Sequence, residues 1–167
     1  VGSEMCIRDR DMCAFSVAER LDLITCFLYS VHYSAGIERL QACVASVHAA
    51  LNSKGVFCFN AVDRERIDNA LSVTHSVRHE GSQFTFSSGW HYPGAGERQS
   101  LRLRIEKATG DETQVWRDEH PMVAVSFAEL QEVLRPYFEV HVFEHDYEKI
   151  IPWNQVSGNA IFVCVKV

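Results

Sequence analysis

The chain has no apolar run approaching the ~20 residues needed to cross a bilayer as a helix. This excludes a helical membrane span. It has no block of lysine and arginine, and its net charge is -6. Nucleic-acid binding usually needs a basic face, so the charge balance argues against that partner. It has no Cys-x-x-Cys and no zinc-ligand spacing. Cys26, Cys43, Cys58 and Cys164 sit inside apolar segments without paired spacing. They read as buried free thiols in a reducing cytoplasm rather than as disulfides. No Gly-x-Ser-x-Gly and no glycine-rich nicotinamide fingerprint occurs, which argues against a hydrolase or a nicotinamide-dependent oxidoreductase. Gly94-Ala95-Gly96 is no substitute, because it lies between alternating segments and no helix follows. No Pro/Gly/Ser-rich linker and no internal repeat divides the chain. We therefore expect a single domain over 11–167. The first ten residues are polar, charged and without periodicity. They do not read as a secretion signal. They resemble a translated adapter string, and we read 1–10 as a non-native leader.

What is present begins with residues 21–60. Leu21–Phe27 is a near-continuous apolar run that suits a strand of a parallel sheet, buried on both faces. Ile37, Leu40, Val44, Val47, Ala50 and Leu51 recur at helical spacing. Asn52–Gly55 breaks that pattern, and Val56–Phe59 is a second apolar run. Strand, crossover helix and parallel strand is the economical reading. Open parallel sheets bind ligands outside the carboxyl ends of their strands. Here those ends are Cys26–Tyr33 and Asn60–Asp63.

Residues 63–69 read as one or two helical turns. Residues 73–120 alternate apolar and polar, with turns at Pro93–Gly96 and Thr109–Asp111. This predicts an inserted antiparallel β meander with one dry face and one wet face. Ser126 and Glu129 form a capping box that opens a helix, with Phe127, Leu130, Val133 and Leu134 on one side. Phe138–Phe143 and Ala160–Val165 read as strands. The fold class is α/β: a partial, Rossmann-like, doubly wound sheet with an antiparallel last strand and the meander as an insertion.

The order of these elements resembles the class I S-adenosylmethionine-dependent methyltransferases, in their small-molecule branch. Asp11-Met12 with Phe15 resembles that family's acidic loop before the fourth strand. Leu21–Cys26 resembles the fourth strand, and Ser30–Tyr33 the turn after it. Ala49–Leu51 with Lys54-Gly55 resembles the turn into the fifth strand, without its proline and one glycine. Glu119-His120, Ser126–Leu134 and Phe138–Val140 resemble the later strand-to-helix passage. Ser157–Phe162 resembles the antiparallel seventh strand. The family's glycine-rich first turn and its ribose-binding acid are absent, so the resemblance is to the carboxyl-terminal portion.

The resemblance implies S-adenosylmethionine as cofactor and a small-molecule acceptor. Methyl transfer from a sulfonium requires positioning more than acid–base machinery, although an amine acceptor needs a base. By resemblance, Asp11 would accept a hydrogen bond from the adenine amino group and the Met12 backbone would lie near the ring. Thr25, Cys26 and Phe27 would face the cofactor. Asp11 has a plainer alternative role as a loop acid. His32, Tyr33 and His120 are the candidate catalytic groups; His32 has an alternative in packing beneath the crossover helix. Tyr29, Asn60, Trp90, Tyr92, Trp116 and Glu119 are the candidate acceptor-binding groups, and core packing of the meander is the alternative for its aromatics. His75 and His79, and His141 and His145, are four apart, but neither pair sits in a convincing helix, and we assign no metal site. A non-catalytic binding domain of the same fold is the competing function. Without the first strands, cofactor binding by the fragment should be weak, and the exposed edge of its first strand should invite association.

Overall fold

A computed structural model describes residues 9–167. The leader reading falls largely outside the described residues. The strand β1 (Leu21–Cys26), the helix α1 (Ile37–Ala50) and the strand β2 (Leu51–Val62) form the expected crossover unit. β1 and β2 are parallel, with Ile24 opposite Phe57 and Cys26 opposite Phe59. The meander follows as β3 (Val73–His79), β4 (Ser82–His91), β5 (Arg98–Thr109) and β6 (Glu112–Val123). It leads into α2 (Phe127–Leu134), β7 (Phe138–Glu144) and β8 (Asn159–Lys166). The main sheet has the order β1-β2-β8-β7, with β8 antiparallel to both neighbours. β7 therefore points the same way as β1 and β2, and all three deliver their carboxyl ends to one edge.

Both helices cover the same face of that sheet. Leu40, Val44 and Val47 of α1 and Leu130 and Leu134 of α2 are buried over Phe57, Phe59, Phe162 and Cys164. Phe59 and Phe162 stack at 5.1 Å with an 8° interplanar angle, and Phe127 meets Phe162 edge-on at 5.2 Å. Such pairs add roughly 0.5–1.5 kcal/mol each beyond their buried area. The apolar positions read at helical spacing on α1 are the ones that face this core. The Ser126 hydroxyl accepts the Glu129 N–H, and the Glu129 carboxylate accepts the Ser126 N–H, so the capping box is formed.

Two expectations are corrected. β1 is not buried on both faces: Leu23 is 57% exposed, because β1 is the free edge of the described sheet. Asn52–Gly55 does not separate helix from strand; β2 begins at Leu51 and carries the irregularity as a bulge between its pairings with Leu21 and Leu23. Lys54 takes a left-handed φ of 63° there, and a Cβ on Gly55 would lie 2.9 Å from the Asn52 carbonyl oxygen and 3.1 Å from that of Leu21. That close approach is why the position is glycine. The 63–69 segment forms one helical turn, as expected, of 3-10 type at Arg64–Arg66 and capped by Asp63.

The meander is an antiparallel sheet of its own, in the order β3-β4-β5-β6. Its register separates two chemistries. Phe86, Ile105 and Trp116 form one cross-strand row, and Trp90, Leu101 and His120 another, on an apolar face. Thr74–Ser87, Ser76–Thr85 and Arg102–Glu119 are bonded pairs on the other face. The expected dry face is dry only at its base. There Gln99 and Met122 are buried, whereas Val73 and Trp116 at the outer part are 70% and 50% exposed. No helix of the described residues is long and apolar enough to cross a membrane.

Candidate active site

The chain leaves β1 through Leu28 and Tyr29, both in left-handed conformations (φ 54° and 59°). Two successive non-glycine residues in that region cost free energy, so the surrounding structure must hold them. The hold is visible. The Tyr29 N–H donates to Asn60 Oδ1 at 3.1 Å, joining the tips of β1 and β2. The Tyr29 hydroxyl accepts from Asn159 Nδ2 at 2.7 Å. The Tyr29 ring meets Trp90 edge-on at 5.1 Å and stacks on His145 at 6.0 Å. Asn60 Nδ2 lies 3.4 Å from His145 Nε2, which also lies 3.1 Å from the Tyr147 hydroxyl. Phe27 closes the group against Tyr147 at 5.9 Å. Burial holds His145 below the ordinary histidine range. A concave, aromatic wall with a few fixed polar groups at parallel strand tips suits a small polar ligand.

Three members of this wall, His145, Tyr147 and Asn159, were not among the sequence candidates. The signal for the first two was that His145 directly follows β7, whose carboxyl end reaches the same edge. Asn159 opens β8, which starts where β2 ends.

Of the two places expected for His32, the structure has it packed inside. It is fully buried, with Nε2 accepting the Val62 N–H and Nδ1 against the Val123 carbonyl, each at 3.0 Å. Acceptance at Nε2 puts the proton on Nδ1, which donates to Val123. Burial pushes its pKa down to about 4. Both nitrogens are committed to backbone, so the ring ties β2 to the base of β6 and cannot reach an acceptor.

Tyr33 and His120 do meet. The Tyr33 hydroxyl lies 2.5 Å from His120 Nδ1, and His120 Nε2 lies 3.1 Å from Asp118 Oδ2. A carboxylate at Nε2 takes the N–H there and leaves Nδ1 as the acceptor for the tyrosine proton. Trp90, Leu101 and His120 share a cross-strand row, so this trio stands on the same meander face as Trp90, about 10 Å away across the strands.

The remaining candidates are not brought together. Asp11 Oδ2 pairs with Arg39 at 2.6 Å and Oδ1 accepts the Cys13 N–H, and the Arg39 guanidinium holds its carboxyl below the usual range. Glu119 follows the strand alternation onto the polar face, opposite to His120, where Ser100 and Arg102 bond its carboxylate. Tyr92 bonds the Gly96 carbonyl, and its backbone pairs with Asn69. Trp116 sits four residues from His120, roughly 14 Å along β6. Thr25 is exposed and Cys26 half-buried at the end of β1. A concavity of about 450 Å³, lined by Leu71, Gly89, Arg102, Arg104 and Arg117, opens on the polar face rather than at the strand tips. Arg102 and Arg104 are already paired with Glu119 and Glu106. His75 and His79 lie on a strand, and the described residues contain no metal-holding cluster of histidine, cysteine and carboxylates.

No family model matches this chain, and no curated protein matches it in sequence. Solved structures do. It superposes on CalS10, an amino pentose methyltransferase from Micromonospora echinaspora solved with S-adenosylmethionine bound, with a TM-score of 0.76 and 18% identity over 95% of this chain and 63% of that one. DesVI of Streptomyces venezuelae gives 0.74 and 21% over 95% and 64%. The sugar N-methyltransferase KedS8 of a Streptoalloteichus species gives 0.76 and 15% over 98% and 63%. At such identities the likeness establishes the fold. It is the fold that these methyltransferase structures share, in part. The chain spans just under two thirds of the length of these structures.

Proposed function

We propose that this chain is the acceptor-holding, carboxyl-terminal part of an S-adenosylmethionine-dependent methyltransferase that methylates an amine of a small polar molecule. The observation that carries the reading is the shared edge of β1, β2 and β7, where Tyr29, Asn60, Trp90 and His145 form one wall, in a fold shared with enzymes that methylate amino sugars and sugar nitrogens. The cofactor supplies an activated methyl group when bound. The residues present fit one side of it: the tip of β1 from Thr25 to Phe27 would face it. Asp11 is held by Arg39 and the Cys13 N–H, one to each carboxylate oxygen, and each oxygen keeps a lone pair that could accept the adenine amino group.

An amine is protonated near neutral pH and must lose a proton before it attacks. Tyr33 backed by His120 and Asp118 is the group poised to take it. Of the three candidate catalytic groups, Tyr33 and His120 keep the role in this reading and His32 does not. Tyr29, Trp90 and His145 would hold the acceptor against the strand tips. The acidic chain favours such a small-molecule partner over nucleic acid. The five described cysteines are all free, in keeping with a reducing cytoplasm.

The test is calorimetry with S-adenosylhomocysteine on the protein that carries this chain, followed by labelled methyl transfer to a panel of amino sugars. Heat and labelled amine are expected. A folded sample that gives neither would leave only a non-catalytic binding domain. Residues 9–167 alone should bind the cofactor weakly, because they supply one wall of its site.

A further inference from the structure

We propose that the concavity on the polar face of the meander binds a small phosphomonoester other than the methyl acceptor. The concavity holds about 450 Å³. Its shape follows from the sequence. Gly89 lies opposite Arg102, and a Cβ there would lie 2.9 Å from the Leu71 carbonyl oxygen. The missing side chain lets residues 69–72 lie against β4 as a rim. Asn69 fastens that rim: its side chain donates to the Tyr92 carbonyl at 2.9 Å and accepts the Tyr92 N–H at 2.8 Å. Beyond the bare floor at Gly89, on β5 and β6, stand Arg102, Arg104 and Arg117.

Charge points to the ligand. Arg104 and Arg117 are direct partners across β5 and β6, and like charges so placed repel. The other pair of formal charges in that ladder, Arg102 with Glu119, is of opposite sign. An anion seated between Arg104 and Arg117 turns the repulsion into attraction. The neighbouring carboxylates leave donors for it. Glu119 takes Nε of Arg102 at 3.2 Å, and Glu106 takes one terminal nitrogen of Arg104. Among the described residues no carboxylate pairs with Arg117, which brings five N–H donors. Three guanidinium groups against two carboxylates leave this spot positive on a chain of net -6.

Guanidinium groups from three register positions suit a tetrahedral phosphate, whose oxygens point in different directions. A carboxylate offers two oxygens in one plane. The volume is that of a small-molecule site rather than of a single ion. The rest of the lining is bare backbone with Ser87 and Asn69, which suits a hydroxylated body on the phosphate. A nucleic acid fits less well, since its next phosphates would meet Glu106 and Glu119 beside the arginines. The sheet itself stands between this ligand and the Tyr33–His120 pair, which is on its other face. The site is therefore separate from the proposed proton path.

The test is calorimetry on the protein that carries this chain, in about 50 mM salt, with glucose 6-phosphate, inorganic phosphate, glucose and succinate as probes. Glucose 6-phosphate should bind with a Kd of about 1 mM or tighter, and more tightly than inorganic phosphate; glucose and succinate should give no heat. Arg117→Gln and Arg104→Gln should each raise that Kd at least about tenfold, with far-UV circular dichroism and S-adenosylhomocysteine binding unchanged. Lys107→Gln removes a charge from the opposite face of β5 and should change it by less than about twofold. If Arg104→Gln fails to fold, Arg117→Lys carries the same test, because it keeps the charge and loses the fork. No heat from glucose 6-phosphate overturns the proposal. So does binding that the arginine substitutions spare, binding that Lys107→Gln weakens as much, or succinate bound equally well.

Discussion

His32 Nε2 accepts the backbone N–H of Val62 at 3.0 Å, inside the core and thirty residues away. Together with the bond from Nδ1 to Val123, it fixes the end of β2 against the base of the meander. His32→Ala should therefore destabilise the chain by about 2–4 kcal/mol, since it leaves a buried donor and a buried acceptor unpaired and opens a cavity. Urea unfolding at pH 7 measures this. The histidine also makes a prediction about pH. The unfolded chain takes up a proton on this ring near pH 6.5, while the folded chain resists it until about pH 4. Stability contributed by His32 is thus present above pH 6.5 and lost as the pH falls through that window, by up to about 1.4 kcal/mol per pH unit. A His32→Phe variant that still folds should lose this part of the slope and keep the part that His48 and His145, also held below the usual range, supply.

The capping box at α2 was readable directly, because Ser126 and Glu129 have the required spacing and an apolar helical face follows. Ser126→Ala should cost about 1 kcal/mol, read as a drop in the thermal midpoint. Ser126→Asp should recover most of it, since an aspartate can also accept the Glu129 N–H.

That contrast explains what was legible. β1, α1 and β2 were visible because their periodicities answer to one local core. β3 was not singled out, because Val73 and Val77 alternate with threonine, histidine and arginine and no core covers them. The pairing of Tyr33 with His120 spans 87 residues, and both were candidates for separate reasons; only the register of β6 separates His120 from Glu119. The sequence left His32 between acceptor contact and packing, because its position is at a strand tip; the 3-10 turn at Ser30–Tyr33 turns it inward. His145 and Tyr147 were missed because their partners lie on β1, β2 and the meander, contacts that no local pattern records.

Lys166 is buried near the carboxyl end of α1, donating to the carbonyls of His48 and Leu51 at 2.6 and 2.8 Å. A helix end leaves carbonyls without intrahelical partners, and a cation there also meets the negative end of the helix dipole. Lys166→Met should cost about 1–3 kcal/mol in urea unfolding. It should also move a second group. Burial, then the charges of Lys166 and Arg20, hold His48 below the usual histidine range. Removing the lysine charge makes imidazolium easier to form, so the His48 pKa should rise in an NMR titration.

The geometry around His120 distinguishes a relay from a surface contact. Asp118 fixes the proton on Nε2, which leaves Nδ1 facing the Tyr33 hydroxyl at 2.5 Å. If this trio accepts the proton of an amine acceptor, Tyr33→Phe and His120→Asn should each lower the methyl-transfer rate by roughly 10²-fold or more while S-adenosylhomocysteine binding stays unchanged. The two losses should not add, because both remove one proton path. Asp118→Asn should give a smaller loss, since its amide disturbs the tautomer without deleting the acceptor. The defects should shrink as the pH is raised, because more of the amine is then unprotonated before it binds. Single-turnover rates from pH 6 to 10 are the measurement. A Tyr33→Phe variant that transfers methyl at the parental rate throughout that range would remove the trio from the chemistry and leave positioning at the Tyr29 wall to account for it.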